Sequence, residues 1–362
     1  MKKIFSIYLL FIFIPVSVAL EYLTPDRHAL IFFSAALAII PVARLISQAT
    51  ENISHYTGQS IGGLLNATFG NFPELIILLI ALKSGLYEMV LASLIGCVLA
   101  NLLLALGVSF LLGGLKHHTQ DFNPVSSRVY STMMFIAVIS MVVPSSFSRL
   151  FGSEEDVMRE ESMLNLGLAV ILLITYVLYL VFMIRTHPDF FKSKGGKKSA
   201  EKESHEAQWS VSRAVISLVA ASFIAAWMSE ILVGSAEETG KALGMSTTFI
   251  GIIILAIVGG AAESLSAITM ATKNKMDLTL SIAFGSCIQI SLLLAPIAVL
   301  ASYFIGPRPL NLSFRGVEMG VLFLSVIMGI MVASDGKSNW YKGVQLIIIY
   351  LIIAFMFYFM PQ

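Results

Sequence analysis

Long apolar runs separated by short polar ones set the pattern of this chain. Stretches without a charged side chain cover residues 89–115, 129–148, 162–184, 278–307 and 343–362, and residues 4–20 form a sixth. Four more runs carry an acid or base inside or near one end: about 29–48 (Arg44), 60–82 (Glu74), 246–272 (Glu263) and 312–334 (Glu318). An eleventh, about 210–235, ends near Glu230. A helix needs roughly 20 apolar residues to cross the hydrocarbon. The pattern therefore predicts an all-α polytopic membrane protein of eleven transmembrane helices. The opening "MKKIFSIYLLFIFIPVSVAL" starts basic and has a short apolar core, like a signal peptide; it is read as a retained leading helix over residues 1–22.

The polar segments orient and divide the chain. With the N-terminus in the cytoplasm, 16 of the 23 Lys and Arg fall on the inside and 7 outside, the asymmetry that orients membrane proteins. The longest polar run, residues 186–208, mixes charge and glycine and reads as a solvated cytoplasmic linker. It separates spans 2 to 6 (residues 23–185) from spans 7 to 11 (residues 209–362).

The two halves match each other. "GGLLNATFGNFPE" from Gly62 and "GIIILAIVGGAAE" from Gly251 align at an offset of 189 residues. The same offset pairs Gly70 with Gly259, Glu74 with Glu263, Glu88 with Asp277 and Gly96 with Gly285. Five helices per repeat is an odd number, so the second repeat is inverted relative to the first. Inverted repeats are a transporter architecture whose sites lie near the midplane on helices interrupted by Gly or Pro. Gly70, Pro73, Gly259 and Gly260 are such interruptions, each beside its acid.

Composition agrees with the membrane reading. The chain is 57% hydrophobic and 12% charged, against about 25% charged in soluble proteins. A net charge of +1 gives no reason to expect a nucleic-acid partner. The two cysteines, Cys97 and Cys287, lie in apolar runs and read as small buried residues.

Carboxylates inside a membrane are expensive and mark ion pathways. Two of them facing each other in low dielectric do not both stay ionised and empty. The pair has two charge-balanced fillings, one divalent cation or two protons, and each excludes the other. That is the property of an exchanger of divalent cation for H⁺. Glu74 and Glu263 would bind both cargoes. Hard cations take further oxygens, six to eight in all for Ca²⁺. Asn101, Ser286 and Gln289 can supply them, as can Asn66, Thr68 and Asn71 ahead of Glu74. No His or Cys cluster with transition-metal spacing is present in the sequence.

The segments "ATENISHYTGQSIGGLLNATFGNFPELI", "SEILVGSAEETGKALGMSTTFIGIIILAIVGGAAE" and "TKNKMDLTLSIAFGSCIQI" resemble Ca²⁺/H⁺ exchangers of the cation/Ca²⁺ exchanger superfamily. The resemblance implies a fold of ten core helices plus a leading one. It places the family's two central glutamates on Glu74 and Glu263, and its polar motifs on Gly96-Cys97…Asn101 and Gly285-Ser286…Gln289. It also implies cation access paths along Glu51, Glu230 and Glu237. Two positions depart from the family pattern. Gly260 stands where Asn is usual, and Cys97 where Ser is usual, so two oxygens are missing near the cation.

The expected function is a secondary antiporter of Ca²⁺ against H⁺ by alternating access. It has no cofactor, and its partners are its ions and the lipid bilayer, with a homo-oligomer left open. Na⁺/Ca²⁺ exchange, or exchange of another divalent cation for H⁺, is the alternative, although the site region is too apolar for several Na⁺ ions. A passive channel more often sets its acids in an oligomeric ring. Nothing in the sequence forms the nucleophile–base pair or phosphate loop of a membrane enzyme. The expected location is a prokaryotic plasma membrane.

Overall fold

The computed structural model describes residues 7–151, 155–187 and 209–360. A 3₁₀ turn, Leu9–Ile12, leads into α1 (Phe13–Leu23). The first half continues with α2 (His28–Phe69), α3 (Phe72–Lys83), α4 (Tyr87–His117), α5 (Pro124–Phe151) and α6 (Glu155–Val181). The second half holds α7 (Val211–Gly234), α8 (Ala236–Leu243), α9 (Thr247–Gly259), α10 (Ala261–Thr272), α11 (Met276–Ile305), α12 (Gly316–Ala333) and α13 (Trp340–Tyr358). Helices α4, α9 and α11 widen into π turns over Ala100–Ala105, Ile250–Leu255 and Ile290–Leu294. The polar segment 188–208 lies outside the described residues.

Among the described residues, eight helices are long and apolar enough to cross a membrane, or nine if the bent pair α8–α9 is one span. Length alone does not reach eleven, because α1, α3 and α10 have only 11 or 12 residues each. Large apolar side chains such as Phe223, Phe304 and Phe355 point outward. That is the expected surface of a multi-pass membrane protein facing lipid.

The repeat offset found in the sequence recurs in the backbone. Helix α3 starts at residue 72 and ends at 83; α10 starts at 261 and ends at 272. Helices α4 and α11 start at 87 and 276, again 189 apart. The turns between them use left-handed residues at equivalent places, Gly85 (φ 77°) and Asn274 (φ 60°). Gly adopts that region freely, and Asn is among the few other residues that tolerate it.

One expectation needs correcting. The sequence separates spans at 29–48 and 60–82, yet α2 runs unbroken through the polar stretch between them. That stretch holds no proline after Pro41, so its backbone continues the helix until Gly70. In the second half the equivalent path is broken instead, with α8 and α9 bent by 116°.

Apolar packing falls into separate clusters. The largest gathers α3 to α6 and α9 to α13. Two smaller ones tie α2 to α7 and α1, with Val42 and Ile46 against Ala221 and Ala225 at the centre of one. Polar contacts mark the two ends of the bundle. At one end the short strands β1 (Thr119–Asp121) and β2 (Lys337–Asn339) pair antiparallel, and Lys116 Nζ donates to the last carbonyl of α10, Thr272 O, at 2.8 Å. At the other end Arg315 pairs with Glu88 at 2.9 Å and Lys83 with Glu230 at 3.6 Å.

Candidate cation-binding site

Both acids sit in the first turn of a helix that follows a break. Residues Gly70 and Asn71 interrupt the path between α2 and α3, and Gly260 interrupts it between α9 and α10. Pro73 fits here because the first turn of a helix needs no donor from it. The two breaks have the same geometry. Asn71 (φ −96°, ψ 30°) and Gly260 (φ −75°, ψ 9°) cap their helices. Leu75 N donates to Asn71 O at 3.1 Å, and Ser264 N to Gly260 O at 3.0 Å. Each carboxylate therefore lies at the positive end of a helix dipole, which favours negative charge there.

Glu74 and Glu263 are buried, at 5% and 8% exposure, and Glu74 packs against the break that precedes Glu263. Both Glu74 oxygens and Glu263 Oε2 are buried without a hydrogen-bond partner. Unpartnered buried carboxylate oxygens are costly. At that opposing break a Cβ on Gly259 would stand 2.9 Å from Glu74 Cγ, and one on Gly260 would stand 3.7 Å from Glu74 Oε1. A cavity of about 10 Å³ borders Glu74, lined by Ser93, Cys97, Leu255 and Ile290 among others. That is room for roughly one water-sized sphere.

The neutral polar residues singled out from the sequence form a connected chain beside the acids. Asn71 Nδ2 donates to Gln289 Oε1. Ser286 Oγ donates to Asn71 Oδ1 at 2.6 Å, and Asn101 Nδ2 donates to Ser286 Oγ at 2.9 Å. Three helices thus meet through four side chains. Asn101 lies in the π turn of α4, and Gln289 immediately precedes that of α11. Such turns recur at functional sites because they re-aim side chains without ending the helix.

Other expected site residues are not part of this cluster. Glu51 is exposed in the middle of α2, and Glu230 and Glu237 are exposed near helix ends, Glu230 in an ion pair with Lys83. Asp277 accepts from Asn123 N at 2.6 Å, and Glu318 caps α12 by accepting from Arg315 N at 2.7 Å. Those contacts give both acids structural roles. The side chain of Asn66 lies outside the described residues. The sequence marks Arg44 only as a charge within the 29–48 run; in the structure its Nη1 donates to Ser266 Oγ at 2.8 Å, one helical turn beyond Glu263. A lone cation inside an apolar run was the available signal.

Comparisons with known proteins agree with this architecture. The family model described as sodium/calcium exchanger protein matches residues 27–185 and 213–359. The chain is 41% identical to a Bacillus subtilis (strain 168) protein named Ca²⁺/H⁺ antiporter ChaA, over 96% of this chain and 98% of that one. It is 38% identical to a Ca²⁺/H⁺ antiporter of Aphanothece halophytica, over 97% and 96% of the two. The solved structure of native YfkE superposes with a TM-score of 0.82 at 38% identity, covering 98% of this chain and all (100%) of that one. The family match leaves out little beyond the leading segment and the polar linker. This chain therefore belongs to the sodium/calcium exchanger protein family.

Proposed function

We propose that the protein is a secondary antiporter that exchanges Ca²⁺ for H⁺ across a membrane, with Glu74 and Glu263 as the shared site. The observation that carries this reading is the pairing of two buried, unpartnered carboxylates on repeat-related helix breaks. One Ca²⁺ or two protons neutralise the pair, so the cargoes compete and alternate. Among the described residues no three His, Cys, Asp or Glu side chains cluster. The remaining ligands would then be neutral oxygens. Asn71, Asn101, Ser286 and Gln289 are the candidates, held beside the acids by their mutual hydrogen bonds. The relatives named as Ca²⁺/H⁺ antiporters support Ca²⁺ as the divalent cargo.

Closure of the site on one side is supported by a close helix crossing. Gly96 of α4 is pressed on α9: an added Cβ would lie 2.2 Å from Ile252 O. The end where α4 and α9 begin is closed by this crossing. Loosening it, with closure of the repeat-related crossing, would expose the site to the other side. On this reading Glu51, Glu230 and Glu237 lie along the access paths. The N-terminus faces the cytoplasm of a prokaryotic cell, and the protein needs no cofactor and catalyses no covalent chemistry.

The test is ⁴⁵Ca²⁺ flux in vesicles, with and without an imposed pH gradient. Wild type should take up Ca²⁺ only when protons can move the opposite way. Glu74→Gln and Glu263→Gln should each abolish that uptake, because the single remaining acid leaves a charge of +1 with Ca²⁺ and holds only one proton in exchange. Uptake indifferent to the pH gradient would defeat the proposal, and so would near wild-type transport by either variant.

A further inference from the structure

Arg44 stands outside the paired carboxylates and their neutral oxygen neighbours, and its position needs a reason. It lies within the apolar span of α2, three residues after Pro41, and is half-buried. A guanidinium there is costly unless something uses its charge. Its hydrogen bond goes to a neutral hydroxyl, Ser266 Oγ, at 2.8 Å. Ser266 is three residues beyond Glu263 on α10, so the two share a helix face. That hydrogen bond holds the guanidinium about one helical turn from Glu263, and among the described residues it makes no contact ion pair. The repeat-related position carries no charge: it is Val233, buried at 2%. The cation therefore serves one acid of the pair and not the other.

We propose that Arg44 is a tethered counter-charge of the carboxylate pair, and that it sets how strongly the site prefers cargo of higher charge. This rests on the reading that Glu74 and Glu263 hold the cargo. With both acids ionised, Arg44 brings the local charge from −2 to −1. An arriving cation is repelled in proportion to its own charge, so the penalty is larger for a divalent ion than for a monovalent one, and larger again for a trivalent ion. A weakened site suits an exchanger, which must release its cargo on the far side. Arg suits the role because it keeps its charge at any working pH. The Ser266 hydroxyl holds it beside the pair without neutralising it.

The test is calorimetric binding of Ca²⁺ and La³⁺ to the purified full chain in detergent, beside vesicle flux. Arg44→Gln removes the charge but keeps a donor for Ser266. It should tighten Ca²⁺ binding by about 10-fold and La³⁺ by about 30-fold, since the repulsion scales with cargo charge as two to three. Arg44→Lys, which keeps the charge, should restore both values. Unchanged affinity in Arg44→Gln, or equal gains for the two ions, would overturn the proposal. A purely structural strut predicts instead that Ser266→Ala shifts affinity as much as Arg44→Gln, and that result would also overturn it. If Arg44→Gln does not fold, Ser266→Asp cancels the same charge by pairing with Arg44. It too should tighten Ca²⁺ more weakly than La³⁺, and unchanged affinity there refutes the idea. A wild-type protein that binds Ca²⁺ but does not exchange it for H⁺ would sink the antiporter reading while leaving this binding test intact.

Discussion

Replacing Gly96 by Ala adds one methyl group where α4 crosses α9. That Cβ would stand 2.2 Å from Ile252 O, 2.5 Å from its Cα and 2.6 Å from its carbonyl carbon. All three are backbone atoms, so no side chain can rotate away, and the helices must separate by roughly 1 Å. Overpacking of this kind costs about 1–3 kcal/mol, which is a shift of about 5–150-fold between two conformations. The penalty falls on the packing described here. Thermal unfolding of the purified variant should show Gly96→Ala clearly destabilised. In vesicles it should transport slowly, because it biases an equilibrium that must run both ways. Wild-type stability or full transport by Gly96→Ala would refute the reading of this crossing as a closed end.

Two further substitutions probe the site itself. Gly260→Asn should lower the half-saturating Ca²⁺ concentration several-fold, because its Cβ would lie 3.7 Å from Glu74 Oε1 and 3.1 Å from Ala256 O, close enough to bring a side-chain oxygen beside the acid; comparable expression with unchanged affinity would show that the position does not face the ion. Asn71→Ala strips a partner from Gln289 and leaves the buried Ser286 hydroxyl with no acceptor for its proton, at about 1–3 kcal/mol, so Ca²⁺ binding should weaken by about 10-fold or more, and equal affinity in a binding titration would remove Asn71 from the site.

Much of the architecture could be read from the sequence because local chemistry and the repeat agree. Gly70, Pro73 and Gly260 interrupt helices whichever neighbours they have, and an acid beside each break stands out in an apolar run. The left-handed turn at Gly85 also has a sequence signature, shared less openly by Asn274. Other features depend on partners distant in the chain. The π turn that carries Asn101 has no composition of its own, since it answers to packing across α4 and α11. The unbroken α2 was hidden because its polar middle resembles a loop when only hydropathy is weighed. Strands β1 and β2 are three residues each, too short to predict, and they form because the inverted repeats bring two loops to one end. Arg44 shows the opposite failure. Its charge was visible, but only the fold reveals that Ser266 and Glu263 lie beside it.

The central claim is that one carboxylate pair carries both cargoes, and it is tested most directly by Ca²⁺ affinity as a function of pH. Each carboxylate must lose its proton before it binds the metal. Affinity should therefore fall as pH falls, and the slope of log affinity against pH should approach about two where both acids titrate, the number of protons displaced. Glu318→Gln should keep that slope, since Glu318 caps α12 through Arg315 N at 2.7 Å. A Ca²⁺ affinity independent of pH between roughly 5 and 8, a window that brackets buried carboxylates, would contradict the account and send the protons by another route.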